Sequence, residues 1–432
     1  MTNKPSLSLF KSLAYSTGNL GSMLINQIIV MWVIFYYVPP PEEKHLIVYA
    51  PMLLLGYAMT FGRVVDAIAD PLVGFWSDRV KTSLGRRIPF ILYGTIPLVL
   101  LLILCWYPPI PHSSIINVYY IALILGLFFL YYTIVVAPYL ALLPEIATTR
   151  EERLNLVTYQ AYFGVIGLFV AFLLSGYLVE HYGFKIMGII VGIITLISFC
   201  LPVIFIKETE HTEAKEVSLS LSQSVFYTLK NKPFLYYVLC LGFFWLGFNI
   251  IMVALPYLVV VIMKASKDWA GYSAGILLIV AVAFFPVVNL TAKKFGKKIV
   301  FLLTILLLSL FLPLFLTVGR WPILTPFYQG LIVIGITGIP ISGLLVLPYA
   351  ILSEIIDYDE KNTGFRREAM YFGMEGLVTK GAIAASSLVS TQVLYHFGFS
   401  TERSLGILLC GPTAAALVFI GFLIFYKYPF RD

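Results

Sequence analysis

Apolar residues occupy the chain in long blocks. The blocks run near 12–38, 46–77, 88–108, 115–146, 152–180, 184–206, 233–263, 269–292, 297–318, 324–355, 367–396 and 403–427. A helix crossing a bilayer needs about 20 mostly apolar residues, and every block is that long. Hydrocarbon offers backbone groups no hydrogen bonds, so such blocks are expected as helices. The pattern predicts an all-α membrane protein with twelve transmembrane helices. Polar positions gather between the blocks, and their longest segment is 207–232, with Lys207-Glu208-Thr209-Glu210 and a Ser-Leu alternation at 218–222. It reads as a solvated tether, with no ligand spacing. The expected organisation is a six-helix half at 1–206, a cytoplasmic linker at 207–232 and a second half at 233–432.

The halves carry the same markers. Tyr131 to Tyr139 in the fourth block contains Pro138 and is followed by Leu143-Pro144-Glu145; the tenth contains Leu347-Pro348-Tyr349 and ends Leu352-Ser353-Glu354. Tyr162-Phe163-Gly164 recurs as Tyr371-Phe372-Gly373, and Gly85-Arg86-Arg87 as Gly296-Lys297-Lys298. All four pairs lie 209 to 211 residues apart. Six-helix units repeated in parallel are expected, with a substrate cavity between them near the midplane.

Composition agrees: 60% of the 432 residues are hydrophobic and 12% charged, against about 25% charged in a soluble domain. If both termini are cytoplasmic, that side receives 21 of the 29 Lys and Arg and the opposite side 6, with Arg63 and Lys380 inside spans. This asymmetry places the termini in the cytoplasm and makes the net +7 a topology signal, with no nucleic-acid patch. No cleavable leader is expected, since the first apolar run is too long and eleven follow. Cys105, Cys200, Cys240 and Cys410 all fall in spans, as apolar fillers without disulfide or metal spacing. No metalloprotease, serine-hydrolase or nucleotide-binding motif is found, so an enzyme is not expected and an ion gradient is the expected energy source.

The sharpest chemistry is in the second block, which reads Gly62-Arg63-Val64-Val65-Asp66-Ala67-Ile68-Ala69-Asp70-Pro71. On a helix Arg63 and Asp70 fall within about 20° of each other, and Asp66 about 60° away. A charge facing lipid is unfavourable by at least a few kcal/mol, so this face must look into protein or water. Pro71 frees the carbonyl of Ala67 beside the acids. Either a sodium ion or a shared proton suits two adjacent carboxylates. The repeat offset maps Asp66 and Asp70 onto Leu277 and Ala281, so this face exists in the first half only. In the first block Asn19 and Asn26 share a face with Tyr15, which suits either helix–helix hydrogen bonds or a cavity lining. Glu375 and Lys380 lie at membrane depth in the eleventh block, five residues apart and so on different faces; Lys380 is expected to project toward the cavity and the acids of the second helix.

Gly74-Phe-Trp-Ser-Asp78-Arg79, followed by Gly85-Arg86-Arg87, resembles the signature of the major facilitator superfamily. An Asp at a helix end with nearby Arg can latch helices in one state and release them in another, so these residues are expected to form a cytoplasmic gate. Three stretches together narrow the resemblance: Arg63-x-x-Asp66-x-x-x-Asp70-Pro71, Asp357-Tyr358-Asp359-Glu360-x-x-Thr363-Gly364-x-Arg366-Arg367-Glu368, and Lys380. The chain resembles the glycoside–pentoside–hexuronide:cation symporter family, typified by the melibiose carrier. That resemblance implies Na⁺- or H⁺-coupled sugar uptake by alternating access, with no cofactor beyond the ion. It implies a cation at Asp66 and Asp70 with Thr133 nearby, and Lys380 linking cation and substrate sites, with Arg63, Asn19, Tyr132 and Glu375 around them. It places the chain as a multi-pass protein, expected as a monomer, in the cell membrane. Departures lie at Leu20, Val136, Leu140 and Ala161, where the melibiose carrier has two acids, an aromatic platform and an arginine. The cation pair is kept and the galactoside set is gone. A related lysolipid group shares the helix 2 acids and the helix 11 lysine, so an amphipathic substrate is the alternative. A non-transporting sensor or scaffold on the same fold is an alternative of another class.

Overall fold

The structure is a computed structural model and describes residues 8–77, 80, 82, 84–147, 150–206, 228–363 and 368–430. Among the described residues the regular secondary structure is helical, apart from one isolated bridge between Thr82 and Gly85. The N-terminal helices are α1 (Leu9–Tyr37), α2 (Met52–Ser77), α3 (Ile88–Leu104), α4 (Ile115–Ala141), α5 (Arg150–Phe169) and α6 (Ser175–Phe205). The C-terminal helices are α7 (Lys232–Tyr257), α8 (Asp268–Phe295), α9 (Lys297–Phe311), α10 (Pro326–Thr363), α11 (Glu368–Phe397) and α12 (Leu405–Tyr426).

Among the described residues ten stretches are long and apolar enough to cross a membrane, and Ile88–Leu104 is a shorter apolar helix. The longest, Asn155–Phe205, covers two of the predicted blocks. It runs from α5 through a π turn at Val170–Leu174 into α6, and helical geometry breaks inside α6 at Gly183 (φ 79°, ψ 170°). A count of twelve is reached by including Ile88–Leu104 and dividing this stretch at Gly183. The break sets Phe184 against Trp32, Tyr36 and Trp106, with ring centroids 5.8, 4.7 and 5.7 Å away. Large apolar side chains such as Leu72, Tyr93, Ile204 and Leu290 point outward, as expected where lipid tails replace water as solvent.

The chain divides into two compact units, residues 1–39 with 45–214, and residues 40–44 with 215–432. In the first, α1 packs on α5 and α6, α2 on α4, and α3 on α4 and α6. In the second, α7 packs on α11 and α12, α8 on α10, and α9 on α10 and α12. Adding six to each helix number converts one set into the other, which is the parallel repeat seen as packing. The repeated Gly-basic-basic markers share a backbone state as well: Gly85 has φ 106° and Gly296 φ 88°. Only glycine adopts this left-handed region without strain, so each copy turns sharply into its third helix. The C-terminal unit holds residues 40–44 through a buried ion pair, Lys267 Nζ to Glu43 Oε2 at 2.9 Å, and through Thr401 N–H donating to Glu42.

Candidate functional site

The face predicted on α2 is present and is completed by α1 and α4. The helix continues through Pro71 to Ser77, so Arg63, Asp66 and Asp70 keep their helical spacing. Thr133, on α4, donates its hydroxyl to Asp66 Oδ1 at 2.7 Å, and lies 3.4 Å from Asp70 Oδ1. Arg63 lies 3.7 Å from Asp66 Oδ2, donates to Asn26 Oδ1 at 2.6 Å, and stacks over the Phe129 ring at 4.1 Å. Arg63, Asp66 and Thr133 are all buried. Tyr132, also buried, lies within electrostatic reach of Asp66, Arg63 and Asp70.

Each contact follows from position. Phe129 is one turn before Thr133, so α4 offers a ring to the guanidinium and a hydroxyl to the acids on one face. A guanidinium over a ring is attracted to the π face and loses less on desolvation than an ammonium. Asn26 and Phe129 are partners that sequence reasoning did not assign to this site. The signals were available: Asn26 lies seven residues after Asn19, and Phe129 four before Thr133.

Chemically the cluster offers hard oxygen donors from two carboxylates and a hydroxyl. A hydroxyl can turn its proton away and present a lone pair to a cation. Oxygen-only ligation suits alkali and alkaline-earth ions over transition metals. Among the described residues no group of three or more His, Cys, Asp or Glu side chains is placed to hold a metal ion. At membrane depth the N-terminal unit contributes one fixed cation, Arg63, and two carboxylates. With both acids ionised, that set carries a net charge of about −1, which one monovalent cation or one proton cancels.

The remaining candidates fall elsewhere. Asn19 ties α1 to α5 by donating to the Gln160 carbonyl at 2.7 Å, and accepts from Ser22. Gln160 in turn donates to the Tyr139 hydroxyl at 3.1 Å, and Tyr15 and Tyr139 exchange hydroxyl-to-carbonyl bonds at 2.7 and 3.0 Å. Asn19 therefore serves a helix–helix lock joining α1, α4 and α5. Lys380 and Glu375 lie on α11 in the C-terminal unit, both half-buried. Of the gate residues, Gly74 is in the last turn of α2 with open space around its Cα, Gly85 makes the turn described above, and Arg86 and Arg87 are half-buried. Asp78 and Arg79 lie outside the described residues. In the C-terminal copy of that motif, Lys297 forms an ion pair with Glu354.

Comparison with known proteins bears on the family and the fold. The isoprimeverose transporter of Lactiplantibacillus pentosus is 23% identical, over 81% of this chain and 74% of that one. The sodium-dependent lysophosphatidylcholine symporter 1-A of Danio rerio is 24% identical, over 86% and 77%. The crystal structure of a D-xylose–proton symporter superposes with a TM-score of 0.68 at 15% identity, covering 96% of this chain and 97% of that one, which shows a shared fold. Residues 14–429 match the family model for MFS/sugar transport proteins, and the chain belongs to that family of multi-pass membrane transporters.

Proposed function

We propose that this chain is a cation-coupled symporter of a sugar- or glycoside-type small molecule, working by alternating access with Na⁺ or H⁺ as the driving ion. The observation that carries this reading is the Thr133 hydroxyl standing between Asp66 and Asp70 inside the membrane-spanning region. Buried acids at such depth are expensive unless a charge meets them, and a gradient-driven cation is the partner that a transporter requires. Arg63 holds Asp66 from the other side and keeps the pair short of one positive charge. The relative named for isoprimeverose supports a sugar substrate.

A cation bound at Asp66 and Asp70 would compete with the Lys380 ammonium for the carboxylates. Lys380 released in this way would meet the substrate, which couples the two sites. Gly74, Asp78, Arg79, Gly85, Arg86 and Arg87 form the cytoplasmic gate in this scheme. Both termini are cytoplasmic and the protein works in the cell membrane as a monomer. The lysolipid reading stays as the alternative because a similar relative carries that name and the galactoside positions Leu20, Val136 and Ala161 are apolar.

Purified protein in liposomes tests this, with inward Na⁺ or H⁺ gradients imposed in turn and a panel of labelled pentosides, hexosides, glucuronides and lysolipids outside. Accumulation of a glycoside under one gradient is expected. Accumulation of lysolipids alone selects the alternative, and no gradient-dependent flux for any compound overturns symport. In the same vesicles Lys380→Ala is expected to bind substrate without cation-dependent enhancement; normal enhancement ends the coupling role of Lys380.

A further inference from the structure

The C-terminal unit contains an acid that the cation site does not use. Glu375 is on α11, facing α7 and α10. Its Oε2 is sealed from solvent and accepts no hydrogen bond. Its closest polar neighbour is the Tyr237 hydroxyl of α7, on a fully buried side chain, and that hydroxyl is likewise sealed without a hydrogen-bond partner. The two groups face each other closely enough to interact, but Oε2 and the hydroxyl fall short of a well-formed hydrogen bond. Among the described residues no cation lies within ion-pair distance of Glu375.

We propose that Glu375 is a proton-binding site, separate from the cation site of α2, and that it takes up and releases one proton as the transporter works. A lone carboxylate at membrane depth is strongly disfavoured, and the protonated acid removes that charge. Protonation also mends both orphaned atoms: the new carboxyl O–H can donate to the Tyr237 oxygen, or the tyrosine O–H to the carboxyl carbonyl. The ionised form needs water, and Glu375 is only half-buried. The step is a simple exchange: an O–H bond forms at the carboxylate with a proton from water on one side of the membrane, and the same bond breaks to return it.

The titratable surroundings are few. From α7 comes Tyr237, with Cys240 one turn on; from α10, Tyr349; from α12, nothing charged, only Cys410 and Tyr426 being titratable. Lys380 is on the same helix, but five residues place it about 140° around the axis, on another face. Among the described residues no fixed cation pairs with Glu375, which is the opposite of Asp66 beside Arg63. The proposal goes beyond the symport reading and its test needs no transport.

The experiment is infrared spectroscopy of the Asp66→Asn/Asp70→Asn protein in lipid nanodiscs at neutral pH, so that those acids are silent. The carbonyl stretch of a protonated carboxylic acid is expected, moving on transfer to heavy water and disappearing in the further variant Glu375→Gln. Tyr237→Phe, which removes only a hydroxyl, is expected to shift that band without abolishing it. Absence of the band before Glu375 is replaced overturns the proposal, as does a band that Glu375→Gln leaves in place. If Glu375→Gln fails to insert, the response to Tyr237→Phe decides, and an unchanged band there also overturns it.

Discussion

Compare the second helix of each unit. In α2 the positions Arg63, Asp66 and Asp70 are ionisable, and Thr133 of α4 stands against the acids. At the corresponding places in the C-terminal unit stand Ala274, Leu277, Ala281 and Gly343, with Ala274, Leu277 and Ala281 buried. The helices pair in the same way in both units. One copy sets ionisable side chains at the α2–α4 contact, the other packs apolar ones at the α8–α10 contact. At Gly343 a Cβ would stand 2.3 Å from the Thr304 side chain, so a threonine there could not play the part of Thr133 without displacing α9. The asymmetry reverses in the fifth helices: Glu375 and Lys380 of α11 correspond to Ile166 of α5 and Ala171 of the π turn that continues it. A repeated scaffold fixes where helices meet, and each copy then specialises a different meeting line.

The largest test of this comparison writes the acid into the copy that lacks it. Leu277→Asp puts a carboxylate into a packed face with no arginine, and should destabilise the protein by about 3 kcal/mol or more. Thermal unfolding in one detergent measures it; a variant as stable as the parent would mean that the face is hydrated. Next in size is Asp66→Asn. It removes one charged oxygen from a cation and is expected to lower cation affinity about a hundredfold, near 3 kcal/mol, and to abolish gradient-driven accumulation. Substrate exchange without a gradient should survive. Leu277→Asn, its counterpart, should leave cation affinity alone, and equal losses in the two variants would erase the distinction between the units.

Thr133→Val should weaken cation binding about tenfold, through a lost hydroxyl between two charged groups, and Thr133→Ser should recover most of it. Isothermal titration with Na⁺ reads both, and failure of serine to rescue would assign the effect to packing. The smallest effect is expected at Lys297, whose ion pair with Glu354 is 36% and 37% exposed on its two sides. Lys297→Ala should change stability by less than about 1 kcal/mol, and less again in high salt. A larger, salt-insensitive change would show that this copy of the Gly-basic-basic motif does more than anchor a helix end.

Much of this was legible in the chain. Asp66 and Asp70 announce themselves because a charge in hydrocarbon must be met, and because helical spacing alone puts them on one face. The parallel repeat is legible from four markers at one offset, and it reappears as matched helix pairs and as the shared left-handed turn at Gly85 and Gly296. The division at Gly183 shows the limit of hydropathy. The pattern marks a gap at 181–183, yet regular structure runs across it, and only a φ of 79° breaks the helix. Asn19 shows another limit. Its place in the chain allows a cavity lining or a helix tie, and the choice depends on whether a carbonyl of α5 comes within reach.

The sequence by itself determined which segments enter the membrane, how many acids go with them, and that the two halves share one plan. Those properties are local or periodic: apolar length, helical angle and repeat spacing do not depend on what a helix touches. The tertiary structure alone decided that Asn26 and Phe129 hold Arg63, that Thr133 stands nearer Asp66 than Asp70, and that Tyr237 and Glu375 each leave a polar atom unmet. These are contacts between residues up to 138 positions apart, as Tyr237 and Glu375 are. Their geometry is set by the close approach of whole helices, to within the fraction of an ångström that separates a hydrogen bond from a missed one.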